Sequence, residues 1–358
     1  MRKNEQDLFI ELCNFINPDI EKIEELVSDC ATPCVLGHLF FNRMQGIAYG
    51  ALKDMGILNK INREFRNSLA SAYTQNVEKN KSFFSCLEKL SDILQDHHGK
   101  YAMLKGAVLC GFYPSGYRTS NDIDLLVRAK DVTAIGNTLS SAGFRQGNIK
   151  NGEFIPATRK EIIESRMMRG ETVPYILEVN LPYMKYLEVD INFSLDYKNG
   201  DDTIVDKIIS DATEYIVEDI PVMSLNRFDF FIHLCSHLYK EATTLPWVKM
   251  KRDMTLYKFA DIYYLLKDFT PEAIRDLFAR AKELGMGDVC AFALIWTNDL
   301  FRIDNEYAIR IAREILAGRE SILDEVVNPA EKKTLMYYVS DVRSRFFADN
   351  RMAFLMEV

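Results

Sequence analysis

Apolar residues return every three or four positions along the first part of the chain: Leu8, Phe9, Leu12, Phe15 and Ile16, then Ile23 and Leu26, then Phe83, Leu87, Leu90 and Leu94. That period predicts helices throughout residues 1–98, the last of them long and polar-faced from Ile61 to Gln95. Pro18, Pro33 and Asn59-Lys60 punctuate the run, and Thr32 ahead of Pro33 is a helix cap. Leu39-Phe40-Phe41 is assigned to the core, and His97 and His98 to a solvated junction.

The rhythm changes at Tyr101. A short apolar segment, Tyr101 to Leu104, runs into Lys105-Gly106 and a short helix, Ala107 to Phe112. After a loop with Pro114, Gly116 and Arg118 comes Asp122-Ile123-Asp124-Leu125-Leu126-Val127. With a period of two, Asp122 and Asp124 share one face of a strand while Ile123 and Leu125 share the other. Two carboxylates side by side repel unless a cation lies between them. Mg²⁺ suits such a pair, since it takes a few carboxylates and completes its shell with water and phosphate oxygens. A solvated strand edge is the alternative reading of Asp-x-Asp taken alone. Upstream, Gly106 permits close backbone approach, and Lys105 with the N–H groups of the short helix offers positive charge to a phosphate.

Period-two patterning recurs at Tyr175 to Asn180 and Tyr186 to Leu195, and the short link between them predicts an antiparallel hairpin. Leu187, Val189, Ile191 and Phe193 face one way, Glu188, Asp190 and Asn192 the other. Between the two strand regions lie a helix from Val132 to Ala142, capped by Asp131 and closed by Gly143, and a loop-rich stretch, 145–172. That stretch concentrates Arg159, Lys160, Arg166 and Arg169, either as a solvated insertion or as a phosphate-facing element. From Ser224, read as an N-cap, helical periodicity returns. It includes Phe228, Phe231, Ile232, Cys235 and Leu238 on one buried face, then helices opening at Thr270 and over 288–301, 306–317 and 330–348. Lys249, Lys251 and Arg252 form a short basic run, either a nucleotide contact or, the preferred reading, solvated surface. His233 and His237, one turn apart, have no third metal ligand in register and are assigned to a polar border.

The run Leu104-Lys105-Gly106, Tyr113-Pro114, Arg118 and Asp122-Ile123-Asp124-Leu125-Leu126-Val127 resembles the signature of a bacterial uncharacterised nucleotidyltransferase family. The strand, Gly turn, helix and Asp-x-Asp strand resemble the wider DNA polymerase beta-like nucleotidyltransferase superfamily. The resemblance implies an α+β fold, with a small mixed β-sheet nucleotidyltransferase core over 99–222 between helical regions at 1–98 and 223–358. It also implies a third carboxylate on a neighbouring strand, for which Asp190 is the choice and Glu188 the competitor. It further matches the His233-Leu234-Cys235-Ser236-His237 helix and Asp261. Two positions depart from the pattern: Gly106-Ala107, with a long gap to the first Asp, stands where the superfamily has Gly-Ser or Gly-Gly, and Asn192 stands where the narrower family has His.

The implied chemistry is Mg²⁺-dependent transfer of a nucleoside monophosphate from a nucleoside triphosphate, ATP included, to an acceptor hydroxyl on a small molecule, a protein or a tRNA end. Asp122, Asp124 and Asp190 are the expected catalytic and two-metal ligands. Lys105, Gly106 and Arg118 are the expected nucleotide contacts, and the helical flanks are expected to serve nucleotide stacking and acceptor recognition. The alternative is a nucleotide-binding regulatory protein of the same fold without transfer activity. A kinase or phosphohydrolase fits less well, because neither a Walker lysine motif nor a DxDx(T/V) nucleophile is found.

Composition narrows this picture in two ways. The 358 residues carry a formal charge of -8, with a pI near 5.4, which argues against an extended nucleic-acid-binding surface. The seven cysteines are odd in number, scattered and without zinc spacing. With no signal-peptide pattern and no apolar run of bilayer length, the expected location is the cytoplasm, with no membrane partner. Cys30 and Cys34 are expected to be buried thiols.

Overall fold

A computed structural model describes residues 1–168, 170–195 and 202–357. Arg169, the last member of the basic group noted in the sequence, lies outside them. The chain divides into two compact units, residues 73–230 and residues 1–72 with 231–358.

The unit of residues 73–230 is built on an eight-stranded mixed sheet. Its strands are β1 Tyr101–Met103, β2 Asp122–Val127, β3 Arg145–Lys150, β4 Glu153–Pro156, β5 Tyr175–Leu181, β6 Met184–Asn192, β7 Thr213–Val217 and β8 Ile220–Ser224, in the spatial order β4-β3-β5-β6-β2-β1-β8-β7. The apolar face anticipated for β6 is present: Leu187, Val189 and Ile191 are fully buried. β2 is closed in on both faces, with Ile123, Leu125 and Leu126 at 0% exposure. A strand covered on both faces of its sheet is expected to be apolar on both sides, and Asp122 and Asp124 are the exceptions in β2. β2 pairs antiparallel with β1 and parallel with β6, and β5 and β6 form the antiparallel hairpin the alternation predicts.

The structure corrects the reading of 145–172 as loop. Residues 145–156 are the β3–β4 hairpin, and Arg159–Met168 is a helix. The hairpin turns at Asn151-Gly152, both at positive φ (53° and 79°), which is the pairing a two-residue turn demands. The helix opens on a reciprocal cap: the Glu161 carboxylate accepts from the Thr158 N–H and hydroxyl, and the Thr158 hydroxyl accepts from the Glu161 N–H. Strands β7 and β8, which the periodicity did not single out, turn at Glu218-Asp219, also at positive φ. Ser224 is not a helix cap. It ends β8, and its hydroxyl donates to the Met103 carbonyl, tying β8 to β1. Asn226 caps instead, its side-chain oxygen accepting from the N–H groups of Phe228 and Asp229. Asp131 stands at the N-cap of the helix Val132–Ser141 without a side-chain capping bond. His97 is not purely solvated either, with Nε2 lying 2.8 Å from the Thr138 hydroxyl.

The other unit is mainly helical. Its N-terminal helices Lys3–Cys13, Ile20–Cys30, Pro33–Phe41 and Gln45–Asp54 follow the predicted period, and Thr32 caps the third through the Val35 N–H. Leu39 is buried, whereas Phe40 and Phe41 are exposed, which corrects their assignment to the core. Cys30 is buried and Cys34 exposed, on different helices. The helix expected over 330–348 is instead strand β10 (Lys333–Tyr337) and the short helix Val342–Phe347. β10 pairs with β9 (Glu325–Asn328) and β11 (Leu355–Glu357) in a three-stranded sheet. Asp341 interrupts the sequence pattern by capping the short helix at the Ser344 N–H, 2.7 Å away.

His233, His237 and Asp261 belong to this helical unit. His237 lies 3.4 Å from Glu241, whose carboxylate also pairs with the buried Lys258. Asp261 is 3% exposed on the helix Leu256–Leu266. Lys249, Lys251 and Arg252 are exposed.

Candidate functional site

The acidic face is assembled by register. Parallel pairing of β2 with β6 sets Asp122 opposite Glu188 and Asp124 opposite Asp190. Alternation then turns all four carboxylates to the same side of the sheet, because partners across a ladder share a face. Two neighbouring strands therefore supply the three expected aspartates and also the competitor, Glu188.

Burial and mutual repulsion dominate the electrostatics. Asp124 is 7% exposed, and desolvation raises its pKa, with Asp122 adding to the rise and Lys105 opposing it. Burial and then the negative charges of Asp124, Glu188 and Asp122 push Asp190 well above the usual carboxylate range. Glu188 is raised for the same reasons, burial first and then Asp122 and Asp124. A cation arriving at such a shielded group favours the ionised forms and opposes these shifts.

One cation already reaches the group. Lys105 Nζ donates to Asp124 Oδ1 at 2.9 Å. Lys105 is half-buried and sits at φ 46°, ψ -114°, a conformation that costs a side-chain-bearing residue free energy. Gly106 follows it. A Cβ there would stand 2.5 Å from both Cβ and Oγ of Ser120, so glycine is required for the turn to pack against the loop before β2. Ser120 in turn donates to Asp122 Oδ1 at 2.9 Å. Asn192 donates to Asp124 Oδ1 at 3.5 Å, which gives this asparagine a direct tie to the acidic face.

The loop between the short helix Gly106–Phe112 and β2 is held from the helix Arg63–Leu94. Asn76 donates to the Gly116 carbonyl at 3.0 Å, Asn80 to the Arg118 carbonyl at 3.1 Å, and Lys79 to Asn121. Arg118 is 7% exposed, and its guanidinium donates to the Thr119 carbonyl. Sequence reasoning found Lys105, Gly106, Arg118 and the aspartates but not Ser120, Asn76, Lys79 or Asn80. The asparagines recur at a four-residue step on one helical face, a spacing that marks a shared polar stripe without naming its partner.

The donor chemistry of this face fits a hard divalent cation: its four carboxylates offer hard oxygen atoms, and added positive charge relieves their repulsion. Among the described residues no group of three or more His, Cys, Asp or Glu side chains is arranged to hold a metal ion as it stands. Asp124 is engaged by Lys105 instead.

A family model described as uncharacterised nucleotidyltransferase matches residues 33–302. The chain belongs to that family. The match covers the whole sheet unit and much of the helical one, so the acidic strand pair lies inside a nucleotidyltransferase family domain. Comparison with curated proteins found no match. No helix among the described residues is long and apolar enough to cross a membrane.

Proposed function

We propose that this nucleotidyltransferase family member transfers a nucleoside monophosphate from a nucleoside triphosphate to an acceptor hydroxyl in a Mg²⁺-dependent reaction centred on β2 and β6, with residues 99–222 as the catalytic core. The observation that carries the reading is the register of Asp122 and Asp124 against Glu188 and Asp190, which collects acidic groups on one face of two central strands. The order of strand, Gly turn, short helix and Asp-x-Asp strand supports relationship to the DNA polymerase beta-like superfamily.

Asp122, Asp124 and Asp190 are the proposed metal ligands, and bound Mg²⁺ would neutralise charge on the triphosphate and the leaving pyrophosphate. Asp190, whose pKa burial and like charge raise, is suited to take the proton of an acceptor hydroxyl. Lys105 would exchange its carboxylate partner for a phosphate oxygen. Gly106 allows the triphosphate to approach the backbone, and Arg118 adds a second positive charge from the loop that the helix asparagines hold. Ser120 and Asn192 orient Asp122 and Asp124 by their hydrogen bonds and are positioning residues.

The test is incubation with each α-labelled nucleoside triphosphate, Mg²⁺ and candidate acceptors, beside the Asp122→Ala/Asp124→Ala variant. Label on an acceptor with release of pyrophosphate, absent in the variant, supports the reading. Equal labelling by the variant overturns it. A second reading, a nucleotide-binding regulatory protein, is favoured by the Lys105–Asp124 ion pair, which occupies one of the required carboxylates. Thermal stabilisation by ATP or GTP that is indifferent to Mg²⁺ would support that second reading.

A further inference from the structure

The ion pair between Lys105 and Asp124 ties the turn before the short helix to the middle of the acidic face. Lys105 Nζ lies 2.9 Å from Asp124 Oδ1, with both side chains largely shielded from solvent. The Asn192 amide donates to the same oxygen at 3.5 Å, and the Ser120 hydroxyl donates to Asp122 Oδ1 at 2.9 Å. One oxygen of each aspartate in β2 is therefore already engaged by a protein donor. In keeping with this, no three His, Cys, Asp or Glu side chains among the described residues stand ready to hold an ion.

The backbone is a second, independent sign that this lysine is placed for use. Lys105 sits at φ 46°, ψ -114°, where a side chain costs free energy and glycine would not. Strain of that kind persists where surrounding structure holds it, and it gathers at functional sites. The contact that the strained turn delivers is the one with Asp124.

A tethered ammonium and a divalent ion compete for one carboxylate, and in a shielded setting the two cations repel strongly. A metal ion approaching Asp124 must displace Lys105. A lysine leaving a shielded partner pays heavily unless a second anion receives it. A triphosphate is such an anion, and an acidic face alone is not.

We infer that Lys105 gates the metal site: it holds Asp124 until a triphosphate draws the ammonium away, so that the divalent ion is taken up with nucleotide and not before it. This rests on the proposed function for the identity of the site. Metal without nucleotide then binds only the fraction of molecules in which the pair is open, and its apparent affinity falls by that fraction. By linkage, metal and triphosphate each tighten the other through the release of this one side chain.

The test is Mn²⁺ binding to the full chain without nucleotide, read by electron paramagnetic resonance, for the wild type, Lys105→Gln and Lys105→Gly. Gln removes the charge and keeps an amide donor, whereas Gly removes the charge and the backbone strain; thermal melts establish that each is folded. Both variants are expected to bind Mn²⁺ at least about tenfold more tightly than the wild type, the factor for a pair open in about one molecule in ten. The gain is expected to vanish in Lys105→Gln/Asp124→Asn, which locates the ion at β2. Equal affinity in the wild type and the variants, a gain that survives Asp124→Asn, or no binding by any of the proteins overturns the inference and leaves the transfer reading to its own labelling assay. If the variants gain Mn²⁺ affinity as expected but no labelled nucleoside triphosphate is ever consumed in transfer, the gate stands and the transfer reading falls.

Discussion

Asp124 and Asp190 are register partners on adjacent parallel strands, 66 positions apart in sequence and side by side in the sheet. Burial raises both pKa values, with the charge of Asp122 adding to the rise at Asp124 and the charge of Asp124 adding to it at Asp190. A chain selected for stability alone would not place them there. Removing the charge of Asp190 by Asp190→Asn is expected to raise metal-free stability by about 1 kcal/mol, the scale of functional-site substitutions that relieve strain at the expense of activity. Thermal or denaturant melts beside a labelled-nucleotide assay check this: a more stable and inactive variant is the expected outcome.

The sign of the pH dependence follows. A carboxylate whose folded pKa lies above its unfolded value binds more protons in the folded state, so its penalty grows as pH rises from the unfolded pKa, about 4. The gain from Asp190→Asn is therefore larger at pH 8 than at pH 5. Divalent cations favour the ionised form, so Mg²⁺ binding releases protons and tightens with rising pH. Calorimetric titrations in two buffers of different ionisation enthalpy measure that release directly.

Lys105 occupies a backbone region natural to glycine, and its ammonium answers Asp124. The two roles separate by substitution. Lys105→Gly is expected to be about 1 kcal/mol more stable than Lys105→Ala, since only glycine relieves the dihedral, while both lose the same cation. Chemical denaturation of the pair measures the difference, and matched losses of nucleotide affinity are the companion expectation.

Gly106→Ala forces a Cβ to within 2.5 Å of the Ser120 side chain. The expected cost is about 1–3 kcal/mol, the range for overpacking a tight contact. Ser120→Gly removes the clashing atoms, so the double variant should recover most of the stability without recovering the Ser120–Asp122 bond. A double-mutant cycle on stability and on nucleotide binding separates the two effects.

Much of this was legible in the sequence, for specific reasons. The β2 and β6 carboxylates could be placed because period-two alternation survives in both strands, and the helices of residues 1–98 because their apolar stripes are regular. The β3–β4 hairpin was missed although Asn151-Gly152 is a strong turn signal, because β3 is mostly polar and Gly147 is the one buried residue in the two strands, so no apolar alternation marks them. The 330–348 segment misled because Leu335, Val339, Val342 and Phe346 recur at helical steps, while the pairing of Leu335 with Val326 and of Met336 with Met356 that makes β10 a strand shows only in the sheet. Ser120 and the helix asparagines were invisible for a related reason: a polar side chain shows its role only once the backbone atom it meets has been brought near.

Asn80 illustrates that last point with a number. It is 2% exposed and donates to the Arg118 carbonyl. Asn80→Ala leaves that carbonyl without its partner at an expected cost of about 1–2 kcal/mol. Hydrogen exchange in the 114–121 loop should accelerate in this variant while the amides of β6 stay protected.

The account turns on whether the aspartates of β2 and β6 grip a divalent ion together with a triphosphate. Electron paramagnetic resonance of Mn²⁺, titrated into the protein with a non-hydrolysable nucleoside triphosphate analogue, reads that directly. The account predicts bound Mn²⁺ in the wild type and loss of that signal in Asp122→Asn/Asp124→Asn, with a weakened signal in Asp190→Asn. Mn²⁺ bound equally by all of these proteins, or by none of them, would contradict it.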